Sequence, residues 1–230
     1  MNKTAIILFA HLPEFEARAK SMSAISSKKA TQKISIALTQ HFYTLAKQTS
    51  AETFLIDTYH QKGKTFGERI TNAFADVFAK GYENVICIGN DCPELNLNQL
   101  QNAISETEKG NVVLGPTRDG GAYLIGIPQN QFEKKGFNAV KWQSKKTFQN
   151  LITLFKTLKS IVFKTQILSD IDTGKDLSTY FKENLLVRVL LSIIIKLKSK
   201  NTLYLQIPFL RLILSQMLFF RGPPMASFAY

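Results

Sequence analysis

The chain has 230 residues, of which 45% are hydrophobic, enough for one substantial core but too few for two full domains. Its 29 lysines and arginines outnumber 17 acidic residues, giving a net charge of +12. A charge of that size could favour nucleic acid, an acidic membrane or phosphorylated substrates. The basic residues are mostly spread among acids, however, without the basic stripe interleaved with aromatics that marks a nucleic-acid surface, so no nucleic-acid partner is expected. Half of the excess comes from Arg188, Lys196, Lys198, Lys200, Arg211 and Arg221, in a segment from Asn184 to Tyr230 that holds no Asp or Glu. The two cysteines, Cys87 and Cys92, match neither a CxxC pair nor a zinc-ligand spacing and read as reduced thiols of a cytoplasmic protein.

The opening stretch MNKTAIILFAHLPEF has too short an apolar run before His11 and Pro13 to serve as a signal peptide, and Ile6 to Ala10 reads as a first buried strand. Ser26 to Lys47 is a helix by the spacing of Ile34, Leu38, His41 or Phe42, and Leu45. A strand follows at Thr53 to Ile56. The run from Phe66 to Lys80 sets Ile70, Phe74, Val77 and Phe78 on one helical face and stops at Gly81, before a strand at Asn84 to Gly89. Three apolar strands separated by two helices imply parallel pairing through right-handed crossovers.

A helix at about Asn96 to Lys109 leads to the strand NVVLGPT, and after Arg118-Asp119-Gly120-Gly121 to a second apolar run, AYLIGIP. These two runs form a hairpin, or the second pairs elsewhere in the sheet. Lys145 to Leu158 is predicted helical, Ser160 to Phe163 a strand, and Gly174 to Lys182 a further helix. The fold class is α/β, a sandwich of roughly 180 residues.

Ligands of open parallel sheets bind beyond the carboxyl ends of the strands. Asp91, in VICIGNDCPEL, falls at such an end. Asp170 and Asp172, in LSDIDTGKDL, follow a later strand closely enough to approach the same rim. Paired carboxylates there suit Mg²⁺ or Mn²⁺, which keep waters and bridge substrate phosphates. Alternatively, Asp91 or Asn96 caps the next helix, and Asp172 or Thr173 starts another. In GPTRDGGAYLIGI, Gly120 and Gly121 allow either close ligand approach or a tight hairpin turn, with Arg118 and Asp119 placing opposite charges beside them.

In order along the chain, GNDCPEL, LGPTRDGGAYLIGI, VKWQSKKTF and LSDIDTGKDL resemble the bacterial glycosyltransferase-like transferases described as radical-SAM or selenodomain associated. The resemblance covers roughly residues 4 to 182 and extends to the guanylyltransferases that activate phospholactate or molybdopterin. It implies a Rossmann-like GT-A three-layer sandwich with a mostly parallel central sheet over residues 1–183. It also implies a nucleotide or nucleotide-sugar donor, a small-molecule acceptor, and Mg²⁺ or Mn²⁺ between phosphates and protein carboxylates.

On this resemblance Asp91 is the metal-binding aspartate and Asp172 a second ligand. Asp119, a conceivable base, lines the acceptor side with Gly120 and Gly121, and Trp142 shapes the substrate pocket. Asn90, Gln61, Gly63, Gly67 and Arg69 meet the nucleotide. The family's first loop carries a lysine, proline, glycine and KTRL-like run. Here FAHLPEFEARAKSM keeps Phe9 and Pro13 but has His11, Glu16, Ala19 and Ser21 at the other positions, with Arg18 and Lys20 as displaced cations. Losing fixed cations from a triphosphate site weighs against nucleotidyl transfer more than against nucleotide-sugar binding.

Residues 184–230 lie outside the resemblance. Arg188, Ser192, Lys196 and Lys200 recur every four residues on an otherwise apolar helix, and Arg211 and Ser215 repeat that spacing beyond Pro208. No uninterrupted apolar run approaches the ~20 residues needed to span a bilayer. The tail is expected to form amphipathic helices that lie on the inner face of a membrane, or pack on the domain or a second copy in a homo-oligomer.

Overall fold

The computed structural model describes residues 3–12 and 28–170. The expected helix at Gly174 to Lys182 and the tail from residue 184 lie outside them. Six strands form one sheet: β1 Thr4–Phe9, β2 Glu52–Ile56, β3 Asn84–Ile88, β4 Val112–Pro116, β5 Ala122–Pro128 and β6 Val162–Lys164. Their spatial order is β2-β1-β3-β5-β4-β6. The pairs β1–β2, β1–β3 and β4–β6 are parallel, and β5 is antiparallel to both neighbours. Both hairpin alternatives are therefore realised at once: AYLIGIP turns back on NVVLGPT and also fills the place between β3 and β4.

The central strands are apolar on both faces because both faces are covered. All six residues of β1 are buried, the continuous hydrophobic pattern of a sheet sandwiched between helix layers. On one face Ala5, Ile7, Val85, Cys87, Leu114 and Ile125 join Phe74 and Val77 of α2 (Phe66–Phe78), Phe137 of α4 (Lys134–Ala139) and Phe155 of α5 (Thr147–Thr157). The opposite face is covered by α1 (Lys28–Lys47) and α3 (Leu97–Glu108), with Phe42 and Leu100 fully buried. Of the alternatives in the first helix, Phe42 is the core residue and His41 is half-buried.

Helix starts follow local chemistry. Thr65 caps α2 and Asn96 caps α3, each through a reciprocal capping box, with Glu68 and Gln99 as partners. Asp91 is thus released from the capping role. The helix expected from Lys145 begins at Thr147, and β6 is shifted to Val162–Lys164. A 3₁₀ turn at Gln129–Gln131 and the short α4 were not anticipated. No helix among the described residues is long and apolar enough to cross a membrane.

Candidate functional site

The carboxyl ends of β1, β3 and β4 and the turn into β5 surround one cleft. Its lining includes Ala10, His11, Asp91, Asp119, Gly121, Trp142 and Asp170. Three carboxylates, from well-separated parts of the chain, line it. Among the described residues, no lysine or arginine lines this cleft.

Asp91 owes its place to its neighbours. A Cβ on Gly89 would stand 3.0 Å from Asp91 Oδ1, so the missing side chain leaves room for the carboxylate at the end of β3. The Cys92 thiol donates weakly to the same oxygen, with Sγ 3.8 Å away. Asn90 is 5% exposed and its amide donates to Thr39 Oγ1 of α1 at 2.9 Å, tying this loop to the helix layer.

Asp119 sits in the β4–β5 turn. Its Oδ1 accepts from the Thr117 hydroxyl and from the Gly121 backbone N–H, the latter at 2.9 Å. Oδ1 is committed to the turn, and a proton transfer would fall to Oδ2. Gly121 lines the cleft, whereas Gly120 does not. Gly120 has φ +94°, and a Cβ there would lie 2.1 Å from the Lys145 carbonyl oxygen. It admits the backbone of the loop carrying Trp142, so its positive φ serves the turn and its missing side chain makes room for the chain's own backbone.

The loop from Lys141 to Thr147 is knitted by its own side chains. Thr147 Oγ1 donates toward the carbonyls of Lys141 and Ser144, and the Trp142 indole donates to the Phe137 carbonyl at 3.0 Å. Gln143, with φ 52°, and Ser144 also line the cleft. Below them Tyr123 bonds through its hydroxyl to Thr165 Oγ1 at 2.7 Å. Burial holds the Tyr123 phenol above its ordinary pKa and outweighs the opposing Thr165 bond, with smaller upward contributions from Cys92 and Glu94.

Gln61, Gly63, Gly67 and Arg69 stand outside the cleft lining. Gln61 Nε2 donates to the carbonyls of Ala10 and Ile56, joining the ends of β1 and β2. Gly63 adopts φ +133°, and a Cβ on Gly67 would stand 2.8 Å from the Trp142 ring. Pro13, Arg18, Lys20 and Asp172 lie outside the described residues. The residues that sequence reasoning left unassigned are Thr117, Tyr123, Gln143, Ser144 and Thr147, together with His11, which lines the cleft where the resemblance leads one to expect a lysine. Only their membership of quoted motifs signalled them.

Whether this donor set suits a cation can be judged from the cleft itself. Among the described residues, no three His, Cys, Asp or Glu side chains are grouped closely enough to hold a metal on their own. Mg²⁺ and Mn²⁺ do not need such a cage, since one or two carboxylates with waters and phosphate oxygens suffice. Asp91, Asp119 and Asp170 are the carboxylates of the lining that could serve in that way.

No curated protein matches the sequence. Among solved structures, one from Desulfovibrio desulfuricans G20, provisionally named a nucleotide-diphospho-sugar transferase, superposes with a TM-score of 0.70 at 20% identity, over 85% of this chain and 98% of that one. A CMP:2-keto-3-deoxy-manno-octonic acid synthetase complexed with CTP gives a TM-score of 0.44 at 9% identity, covering 83% of this chain and 99% of that one. A 4-diphosphocytidyl-2C-methyl-D-erythritol synthase from Anaerococcus prevotii DSM 20548 gives 0.41 at 10% identity, covering 85% and 97%. The first of these shows the fold, a Rossmann-like α/β sandwich with a mostly parallel central sheet. The profile of the DUF2064 family, described as an uncharacterized protein conserved in bacteria, matches residues 25–144, just over half of the chain and including Asp91, Asp119 and Trp142, and the protein belongs to that family.

Proposed function

We propose that the protein is a metal-dependent glycosyltransferase-like enzyme that takes a nucleotide-activated sugar and transfers the sugar to a hydroxyl of a small acceptor. The observation that carries this reading is the convergence of Asp91, Asp119 and Asp170 on one cleft at the carboxyl rim of the sheet. A Mg²⁺ or Mn²⁺ held by Asp91 would supply the positive charge against which a nucleoside diphosphate departs.

The chain's own residues divide the remaining work. Asp119, anchored through Oδ1, presents Oδ2 to accept the proton of the attacking acceptor hydroxyl. Gly121 leaves that approach open. Trp142, braced by its bond to Phe137 and ring contacts with Phe66 and Phe137, forms an apolar wall for the acceptor or sugar. The nucleotide lies toward the ends of β1 and β2, beside His11 and Asn90.

A thermal-shift panel of nucleoside diphosphates, triphosphates and nucleotide sugars, with and without Mn²⁺, tests the reading, because a ligand that binds the native state raises its melting temperature. Stabilisation by a nucleotide sugar that requires Mn²⁺ and is lost in Asp91→Asn is the expected result. Equal affinity with and without Mn²⁺ would remove the metal assignment. Release of pyrophosphate from a nucleoside triphosphate would replace glycosyl by nucleotidyl transfer, and no shift with any compound would point to a non-catalytic module.

A further inference from the structure

The three carboxylates of the cleft are carried by separate segments, yet those segments meet at one residue that is not itself part of the lining. Ser169, 6% exposed, immediately precedes Asp170. Its hydroxyl accepts from Nε of Arg118 at 2.8 Å, and Arg118 immediately precedes Asp119. Its backbone N–H donates to Oε2 of Glu94 at 3.1 Å, and Glu94 lies in the same loop as Asp91. The backbone reinforces the junction: Arg118 N–H donates to the Leu168 carbonyl at 3.0 Å, Leu168 N–H donates to the Pro116 carbonyl at 3.1 Å, and Thr117 pairs with Leu168 in an isolated parallel bridge.

We propose that Ser169, gripped by Arg118 and Glu94, is a positioning residue that sets the spacing of Asp91, Asp119 and Asp170 and thereby the affinity of the cleft for a divalent cation. This rests on the metal reading given above. The loops that carry Asp91, Asp119 and Asp170 are tied to one another at this junction. The frame here consists of two hydrogen bonds to charged partners, which are stronger than neutral ones. Outer residues that orient metal ligands typically alter metal affinity by about 10–100-fold when removed.

The test is Mn²⁺ binding to the full chain without nucleotide, followed by the paramagnetic resonance signal of free Mn²⁺, so that no turnover is involved. Ser169→Ala removes the hydroxyl and changes no charge. It is expected to weaken Mn²⁺ binding by about tenfold or more, while Ser169→Thr, which keeps the acceptor oxygen, restores it. Arg118→Met provides a check at an exposed side chain. Removing a cation near carboxylates should strengthen Mn²⁺ binding if only charge matters, whereas loss of positioning weakens it.

Weaker binding in both Ser169→Ala and Arg118→Met supports the proposal. Wild-type binding that persists unchanged in Ser169→Ala, or tightens in Arg118→Met, overturns it and leaves the metal reading standing. Failure of the wild-type chain to bind Mn²⁺ at all overturns both. If Ser169→Ala does not fold, the sign of the Arg118→Met effect decides.

Discussion

Gly120 and Lys145 touch backbone to backbone. A Cβ built on Gly120 falls 2.1 Å from the Lys145 carbonyl oxygen, and Phe148 N–H donates to the Gly120 carbonyl at 3.0 Å. This contact holds the Trp142 loop against the turn that carries Asp119. With φ at +94° the position is also strained for any residue with a side chain. Gly120→Ala is expected to lose about 2 kcal/mol or more of unfolding free energy, read from urea denaturation. Gly121→Ala, where the clash is with Thr117 Oγ1 at 2.7 Å, should chiefly displace Asp119 and lower nucleotide-sugar turnover.

The cap of α2 gives a second prediction. Thr65 accepts from the Glu68 N–H, while Glu68 Oε2 accepts from the N–H groups of Thr65 and Lys64. Thr65→Ala should cost about 1 kcal/mol. The Glu68 carboxyl is held below its ordinary pKa by the backbone N–H of Thr65, then that of Lys64. Its contribution is therefore present above the ordinary glutamate value and fades as pH falls through the lowered one. Denaturation curves at neutral and acidic pH should show Glu68→Gln differing from wild type more at neutral pH.

Both thiols should be inert in the native protein. Cys87 and Cys92 are 5% and 2% exposed, and burial pushes the Cys87 thiol well above its ordinary range. The thiolate is the reactive form. A disulfide reagent at neutral pH is expected to label neither residue on the timescale that labels both in denaturant. Rapid native labelling of Cys87 would show that the cleft floor opens.

Trp142 is the single tryptophan, and it borders the cleft. Emission excited beyond the absorption of the tyrosines therefore reports on this site. Addition of a nucleotide sugar with Mn²⁺ should change the emission of the wild type, and Asp91→Asn should abolish that change without altering the starting spectrum.

The strands and longer helices were legible because their patterns come from burial itself. AYLIGIP is a strand over its whole expected length, and Phe74 and Val77 lie in the core their helical spacing implied. The short α4 was not legible. KKGFNA carries a glycine and too few turns to show a period, and the helix exists because Phe137 is buried and Glu133 caps it through Lys135 and Gly136. The place of β5 was only half legible, since a hairpin pattern says nothing of the partner on its far side. At the site, Asp91 and Asp119 could be picked out by sequence, but the side chains that hold them could not. Ser169 and Glu94 are 75 residues apart, and no local spacing connects them.

The reversed strand β5 has a consequence for the order in which the protein is made. Residues 84–128 contain β3, β4 and β5, with only the short turn of residues 117–121 between the last two. Once that stretch leaves the ribosome, the β4–β5 hairpin can close locally, on the order of microseconds, and pairing of β5 with β3 then brings Asp91 and Asp119 to one rim. Asp170 can join only after the chain has travelled from β4 through α5 and returned to lay β6 beside β4. A nascent chain that stops short of β6 would display two of the cleft's carboxylates and lack the segment that braces them.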